Sequence, residues 1–76
     1  MLYKLYLAKD FMRYKPYKPC YSIEEVEKEL ELAQDSEYNY YLIVQHDIKT
    51  RTDLKWETGQ IEHKVNKRLV KTPKLN

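Results

Sequence analysis

A doubled tripeptide, Tyr-Lys-Pro, occupies residues 14–19 and most constrains what this chain can fold into. Pro16 and Pro19 lack backbone N–H donors, and each pushes the residue before it toward extended or polyproline conformation. The repeat therefore argues against a central strand at this point. We expect residues 10–20 to form an extended crossover or an edge segment of a sheet.

Three other segments alternate between apolar and polar residues, a period-two pattern that predicts strands. They are residues 2–9, 38–48 and 54–58. The middle segment is apolar on both faces at its centre, which is typical of a central strand. A polar, turn-like stretch over residues 49–52 joins it to the third segment and predicts a hairpin.

A helix is predicted to begin after Ser22, which forms an S-x-x-E capping box with Glu25, and to end near Gln34. It carries one apolar stripe, made of Ile23, Val26, Leu30 and Ala33. We expect the strands before and after this helix to be parallel neighbours, or else to flank the third strand. The predicted class is α+β, a small β-(extended)-α-β-β sheet with one covering helix.

The C-terminal segment is predicted to be a short helix or a tail, because Ile61, Val65 and Leu69 recur every four residues. Residues 1–71 are predicted to form one small domain, since 76 residues suffice for one domain at most. Residues 72–76 are predicted to be a frayed tail.

The alternation also assigns residues to sheet faces. Trp56, the one tryptophan, is predicted to anchor the core against Leu42 and Val44, with an interface hot spot as its alternative role. The opposite face is predicted to carry Tyr6 and Tyr41. Either the C-terminal segment covers that face, which is the preferred interpretation, or it forms an exposed aromatic surface.

Catalytic and metal-binding patterns are lacking. His46 and His63 do not have the spacing of a zinc-binding helix, and one cysteine cannot form a structural zinc site. Cys20 with His46 is conceivable as a nucleophile pair, but no sequence signature supports it. A chain this short has little room for both a core and a deep pocket. We therefore expect a protein that is not an enzyme and has no cofactor and no metal.

Cysteine usage and hydropathy bear on the compartment. Cys20 is the one cysteine and cannot form an internal disulfide. No stretch approaches the ~20 apolar residues of a membrane span, and Met1 runs directly into the first strand without an apolar leader segment. The sequence predicts a cytoplasmic protein without a membrane partner.

Charge is strongly polarised although the net charge is only +2. Residues 22–37 carry seven acids and one lysine, whereas residues 1–21 and 60–76 each carry five bases and one acid. The acidic helix is either an ordinary solvated face or a surface that resembles nucleic-acid phosphates and suits a basic groove on a partner. The residues assigned to this partner-binding role are Glu24, Glu27, Glu31, Tyr6 and Tyr41.

Residue usage gives an indirect indication of origin. Lysine outnumbers arginine eleven to three, and alanine and glycine are scarce, which favours AT-rich codons. Such codons are typical of a low-GC bacterium or its phages. The first hypothesis is therefore a small tyrosine-rich protein-binding module, an inhibitor from a phage or mobile element. Its target would be a host protein of the nucleic-acid or defence machinery, one with a basic groove.

Nucleic-acid binding is the alternative hypothesis. Basic and aromatic residues interleave before the helix, and more bases follow the third strand. The residues concerned are Arg13, Tyr14, Lys15, Tyr17, Lys18, Lys64, Lys67, Arg68 and Lys71. A third interpretation is a homodimer paired along exposed strand edges.

Overall fold

The computed structural model describes residues 1–62, and within them the chain forms one four-stranded sheet and one helix. The elements are β1 (Leu2–Ala8), β2 (Lys15–Cys20), α1 (Ile23–Ala33), β3 (Tyr40–Asp47) and β4 (Thr52–Gln60). The sheet order is β2-β1-β3-β4, and each neighbouring pair is antiparallel. The predicted α+β class with one covering helix is confirmed.

The doubled Tyr-Lys-Pro segment forms β2, an edge strand, as its prolines require. Pro19 lies opposite Lys4 and Pro16 opposite Tyr6, two residues apart on β1. The register shifts between them, which makes Tyr17 the extra residue of a β-bulge. Backbone N–H groups along a strand point alternately toward the neighbouring strand and away from it. Without the bulge, two prolines three residues apart would therefore occupy one position of each kind, and one proline would lack an N–H that should bond to β1. With it, both can direct their missing N–H away from β1.

The predicted parallel pairing of the strands before and after the helix is wrong for β1 and β3, which are antiparallel. The physical reason is that residues 10–20 contribute a strand of their own. β2 reverses the chain direction before α1 begins, so the helix connects β2 to β3. These two strands run parallel with β1 between them, which makes the unit a split β-α-β arrangement.

Helix α1 begins where the capping residues predict. The backbone N–H of Glu25 donates to Ser22 Oγ at 3.2 Å, and the Glu25 carboxylate accepts from the N–H of Tyr21 at 3.3 Å. The helix ends at Ala33 with Gln34 as its C-cap, as predicted. It packs against β1 and β2 and makes no comparable contact with β4.

The core lies between α1 and the sheet face that carries the odd-numbered residues of β1. Leu5, Leu7, Ala33 and Ile61 are its buried members, and Leu30, Tyr38, Tyr41 and Ile43 pack against them. Tyr41 and Ile43 belong to this face because they lie opposite Leu7 and Leu5 in the β1–β3 register. The core is small and is concentrated over the inner half of the sheet.

The predicted role of Trp56 as a core anchor is wrong. Trp56 lies opposite Val44 on the sheet face turned away from α1, and its side chain is 69% exposed. Tyr6 lies opposite Leu42 on the same face. Tyr6, Leu42, Val44 and Trp56 are called the open face below. The sequence pattern identified two apolar faces on β3 but not which of them the helix covers.

Ile61 is the residue through which the end of β4 joins the core. Its backbone N–H donates to the carbonyl of Asn39 at 2.9 Å, and it is only 8% exposed. It therefore packs on the helix side rather than over the open face. Val65, Leu69 and the predicted tail at residues 72–76 lie outside the described residues. No helix within residues 1–62 is both long enough and apolar enough to cross a membrane.

Cys20 ends β2 beneath the helix and is fully buried. Burial raises the pKa of its thiol, and Glu25 and Glu29 raise it further. Cys20 lies opposite Tyr3, whereas His46 lies opposite Leu2, so the two side chains are on opposite faces of the sheet. The nucleophile pair considered from the sequence is not formed.

We expect the Cys20 thiol to react with a disulfide reagent at neutral pH at least about 100-fold more slowly in the native protein than in urea. The reason is that the thiol must wait for unfolding, and a domain this small has a stability of ~3–5 kcal/mol, where ~1.4 kcal/mol corresponds to a factor of ten. Labelling kinetics with and without urea measure the ratio. Equal rates would contradict the burial of Cys20.

Candidate functional site

A groove runs between α1 and the outer strands because the helix sits over β1 and β2 and leaves the same face of β3 and β4 uncovered. Its volume is about 240 Å³. The apolar residues that line it are Tyr3, Ile23, Val26, Leu30, Tyr41 and Ile43, together with Trp56, which lies between Lys55 and Glu57 on β4. Its polar lining residues are Glu27, Gln45, Lys55 and Glu57. We call this feature the helix-side groove.

The periodicities of the two walls explain this lining. Residues 23, 26 and 30 fall on one stripe of α1, so the helix turns apolar side chains toward the sheet. Glu27 lies beside that stripe and is exposed. On the opposing wall, alternation along β3 presents Tyr41 and Ile43. The groove therefore has an apolar floor with a carboxylate on each side, from Glu27 on the helix and Glu57 on β4.

Tyr41 is one of the residues that line this groove and is partly buried. Burial raises the pKa of its hydroxyl, and the nearby Glu57 carboxylate raises it as well. The hydroxyl therefore stays protonated at neutral pH and can both donate and accept a hydrogen bond. The site offers a ring with a neutral polar tip rather than a charged group.

Gly59 lies directly opposite Tyr41 on β4 and allows the tyrosine ring to lie across the strand. A Cβ built on Gly59 would be 2.5 Å from Tyr41 Oη and 2.6 Å from Cζ. Ordinary carbon contacts begin at about 3.5 Å, so any larger residue must displace the ring. The one glycine in the chain is thus required by the packing of the groove rather than by its backbone conformation.

The structure brings some of the predicted partner-binding residues together and separates others. Glu27 and Tyr41 line the same groove. Glu24 and Glu31 are exposed on α1, three residues before and four after Glu27, so the three acids share one side of the helix. These three residues are the acidic helix face. Tyr6 lies on the open face, so the prediction that it shares a face with Tyr41 is wrong.

Most residues assigned to nucleic-acid binding are found around β2, with acids nearby. Lys18 Nζ lies 3.5 Å from Glu29 on α1. Arg13 and Lys15 line a concavity beside the Lys9–Glu37 ion pair, whose Nζ–Oε1 distance is 2.7 Å. Tyr14 is partly buried, and the Tyr17 ring packs edge-on against Tyr38 with centroids 6.3 Å apart. Lys64, Lys67, Arg68 and Lys71 lie outside the described residues.

A polar cluster on the open face was missed by the sequence reasoning. Asp53 Oδ1 lies 2.7 Å from His46 Nδ1 and 3.5 Å from Lys4 Nζ. The hydrogen bond with His46 lowers the pKa of Asp53, and the charge of Lys4 lowers it further. A register shift in β4 next to His46 makes Leu54 an extra residue and turns Asp53 toward this cluster. Nothing in the sequence signals that bulge.

The lowered pKa of Asp53 gives a pH-dependence with a defined sign. The contribution of Asp53 to stability is present above the ordinary pKa of an aspartate, 3.8, and is lost as the pH falls through its lower value in the folded state. We expect the free energy of unfolding to fall with acidification in that range, and D53N to flatten this part of the profile. Urea unfolding at several pH values tests this, and an unchanged profile for D53N would contradict it.

The residues missing from the sequence-based site are Tyr3, Lys55 and Glu57, which share the helix-side face. Their register partners reveal this, because Tyr3 pairs with Gln45, and Gln45 pairs with Lys55. Within residues 1–62, no three His, Cys, Asp or Glu side chains are placed to hold a metal ion. Comparisons with known proteins found no matching family model, no matching curated protein and no matching solved structure.

Proposed function

We propose that this chain is a small non-enzymatic protein-binding module of the cytoplasm whose helix-side groove receives a basic, partly apolar segment of a partner protein. One observation carries the proposal: Glu27 and Tyr41, assigned to partner binding on separate grounds, line one groove with an apolar floor. Tyrosine is enriched at protein interfaces because its ring is apolar and its tip is polar.

The charge of the helix supports a basic partner. Residues 22–37 have a net charge of −6, with seven acids against one lysine. Glu24, Glu27 and Glu31 are exposed on one side of α1, beside the groove. An acidic surface steers a positively charged partner toward it and repels nucleic acid. A basic groove of a partner protein that normally binds nucleic-acid phosphates is complementary in charge to this acidic surface.

An inhibitor encoded by a phage or mobile element is the kind of protein that we propose. Its target would be a nucleic-acid-binding protein of the host machinery or its defence system. The supporting features are small size, polarised charge and the AT-rich codon preference described above. The acidic helix face would then occupy the basic groove of that target in place of nucleic acid.

The test compares two charge-reversed variants with the same net charge. In the first, Glu24, Glu27 and Glu31 are changed to lysine. In the matched control, the changed residues are Asp10, Asp35 and Glu37, three exposed acids that do not line the groove. Each variant raises the net charge by the same amount, and circular dichroism verifies folding. The tagged proteins are used in pull-downs from a low-GC bacterial lysate, with and without nuclease.

We expect the wild type and the control to capture a partner protein in stoichiometric amount, and this capture to persist after nuclease treatment. The first variant should fail to capture it. Equal capture by both variants would overturn the role of the acidic helix face. Loss with both variants would indicate an effect of net charge alone, which also overturns it. Recovery of nucleic acid, with proteins lost after nuclease, would favour the alternative function.

Nucleic-acid binding through β2 remains the alternative proposal. The observation that favours it is that Arg13, Lys15 and Tyr17 are exposed along an edge of the sheet. Affinity for single-stranded nucleic acid should then fall steeply with salt, because each neutralised phosphate releases counterions. Titration at low and moderate salt checks this, and absence of binding at low salt would remove the alternative.

A further inference from the structure

β4 is an edge strand with nine residues, all of them exposed except Gly59. Among residues 1–62, no strand pairs with its outer side, and α1 packs against β1 and β2 instead. β2 forms the other edge and carries the two prolines. An edge with unpaired N–H and C=O groups is a template for a further strand. β4 is therefore the edge at which this sheet can be extended.

The residue pattern of β4 complements itself about the strand's midpoint. Trp56 is the middle residue of Thr52–Gln60. If two copies of β4 pair antiparallel about a twofold axis at Trp56, Lys55 of each copy lies opposite Glu57 of the other. Opposite charges at directly facing positions stabilise an antiparallel pair. Within the described part of the chain, neither Lys55 nor Glu57 takes part in an ion pair.

We propose that two copies of this chain associate through β4 in this register, which joins their sheets into one continuous sheet of eight strands. The two Trp56 side chains would face each other on the open-face side, and two Lys55–Glu57 pairs would form on the helix side. The arrangement is isologous, as in most protein dimers, because the same strand serves both subunits.

Other registers fit less well. With Lys55 on the twofold axis, Asp53 would face Glu57, which brings like charges together. With Leu54 on the axis, Asp53 would face Lys55 and Arg51 would face Glu57. Asp53, however, is already bonded to His46 and Lys4, and Arg51 lies in the turn before β4 with a positive φ of 58°. That register also places the bulge residue on the axis, whereas the Trp56 axis lies at the midpoint of β4. The bulge residue Leu54 lies two positions from this axis, so the central three residues are in regular register.

Packing of two open faces against each other is also less favourable. It would cover the Lys4–Asp53–His46 cluster, and the removal of charged groups from water is costly unless their geometry is ideal. Edge pairing leaves this cluster in solvent. It also satisfies main-chain groups that otherwise bind water, and it brings the helix-side grooves of the two copies side by side, since Lys55 and Glu57 line them.

The test uses three variants of the full chain: K55E, E57K and the double variant K55E/E57K. In the proposed dimer, either single change places like charges opposite each other twice, whereas the double variant restores both pairs with exchanged signs. In the Leu54 register, the double variant would instead place Glu against Asp53 and Lys against Arg51. Sedimentation velocity over a concentration series gives the mass, and circular dichroism verifies the fold.

We expect the wild type and the double variant to dimerise and each single variant to dissociate at least about tenfold more readily. A mixture of K55E with E57K should form a heterodimer, because every facing pair is then opposite in charge. Trp56 emission should shift to shorter wavelength with concentration for the wild type, since its exposed indole becomes covered.

A wild-type chain that stays monomeric at all soluble concentrations would overturn the proposal. So would a dimer that both single variants retain, or a double variant that fails to recover. These measurements use the protein alone. Failure here therefore leaves the partner-binding proposal standing, and failure of the pull-down leaves the dimer standing.

Discussion

Replacing Leu5 by alanine is expected to unfold most of this domain at room temperature. Leu5 is 1% exposed at the centre of the core, where it packs with Leu7 and Ala33 beneath the helix. Removal of a buried leucine side chain costs ~2–5 kcal/mol, because the transfer energy is lost and a cavity remains. A core this small supplies only ~3–5 kcal/mol in total. A single truncation therefore removes most or all of the stability.

Leu32→Ala is the matched control, since it makes the same chemical change on the solvent side of α1. Leu32 is 58% exposed, and alanine is at least as good a helix former as leucine. We expect a change within about 0.5 kcal/mol. Urea unfolding followed by circular dichroism measures both variants. If L5A and L32A lost similar amounts, the core would not lie where the structure places it.

The second large effect is expected at Gly59, where alanine should expel the Tyr41 ring from the helix-side groove. The added Cβ would be 2.5 Å from Tyr41 Oη, far inside contact distance. The ring is partly buried and packs against the core, so it cannot swing away without losing contacts. Overpacking of this kind costs ~1–3 kcal/mol. Binding of any partner that uses the groove should weaken as well.

A double-mutant cycle separates this clash from the general effect of adding a methyl group to a strand. In the Y41A background there is no ring to displace, so G59A should be close to neutral or slightly stabilising. The NMR resonances of the Tyr41 ring in G59A should move toward those of an exposed tyrosine. A cost of G59A that is equal in both backgrounds would show that the ring does not lie over Gly59.

Local structure was predictable from the sequence to a large extent because its signals are local. Ser22 and Glu25 mark the start of α1, and period-two alternation identifies β1, β3 and β4 to within a few residues. For residues 15–20, the sequence predicted an extended or edge segment but not the bulged strand that the structure shows. The prolines indicate an extended edge, but the bulge at Tyr17, which lets both prolines fit, leaves no mark in the composition.

The choice of buried face could not be predicted from β3 alone. Its two faces are almost equally apolar, with Leu42 and Val44 on one and Tyr41 and Ile43 on the other. Pairing with Leu5 and Leu7 on β1 decides the matter, and this depends on a register that periodicity does not contain. Because the wrong face of β3 was predicted to be buried, Trp56 was predicted to lie in the core, whereas it is exposed. For the same reason, the groove that Tyr41 shares with Glu27 was not predicted.

The prolines of β2 also have a consequence at high protein concentration. A sheet with two receptive edges can add molecules at both ends and grow without limit into a fibre. Here Pro16 and Pro19 blunt one edge, so a pair of chains joined through β4 has the proline-bearing strand β2 at both outer edges, which hinders the addition of further chains. A nine-residue, highly exposed strand at the other edge can then persist without making the protein prone to amyloid-like polymerisation.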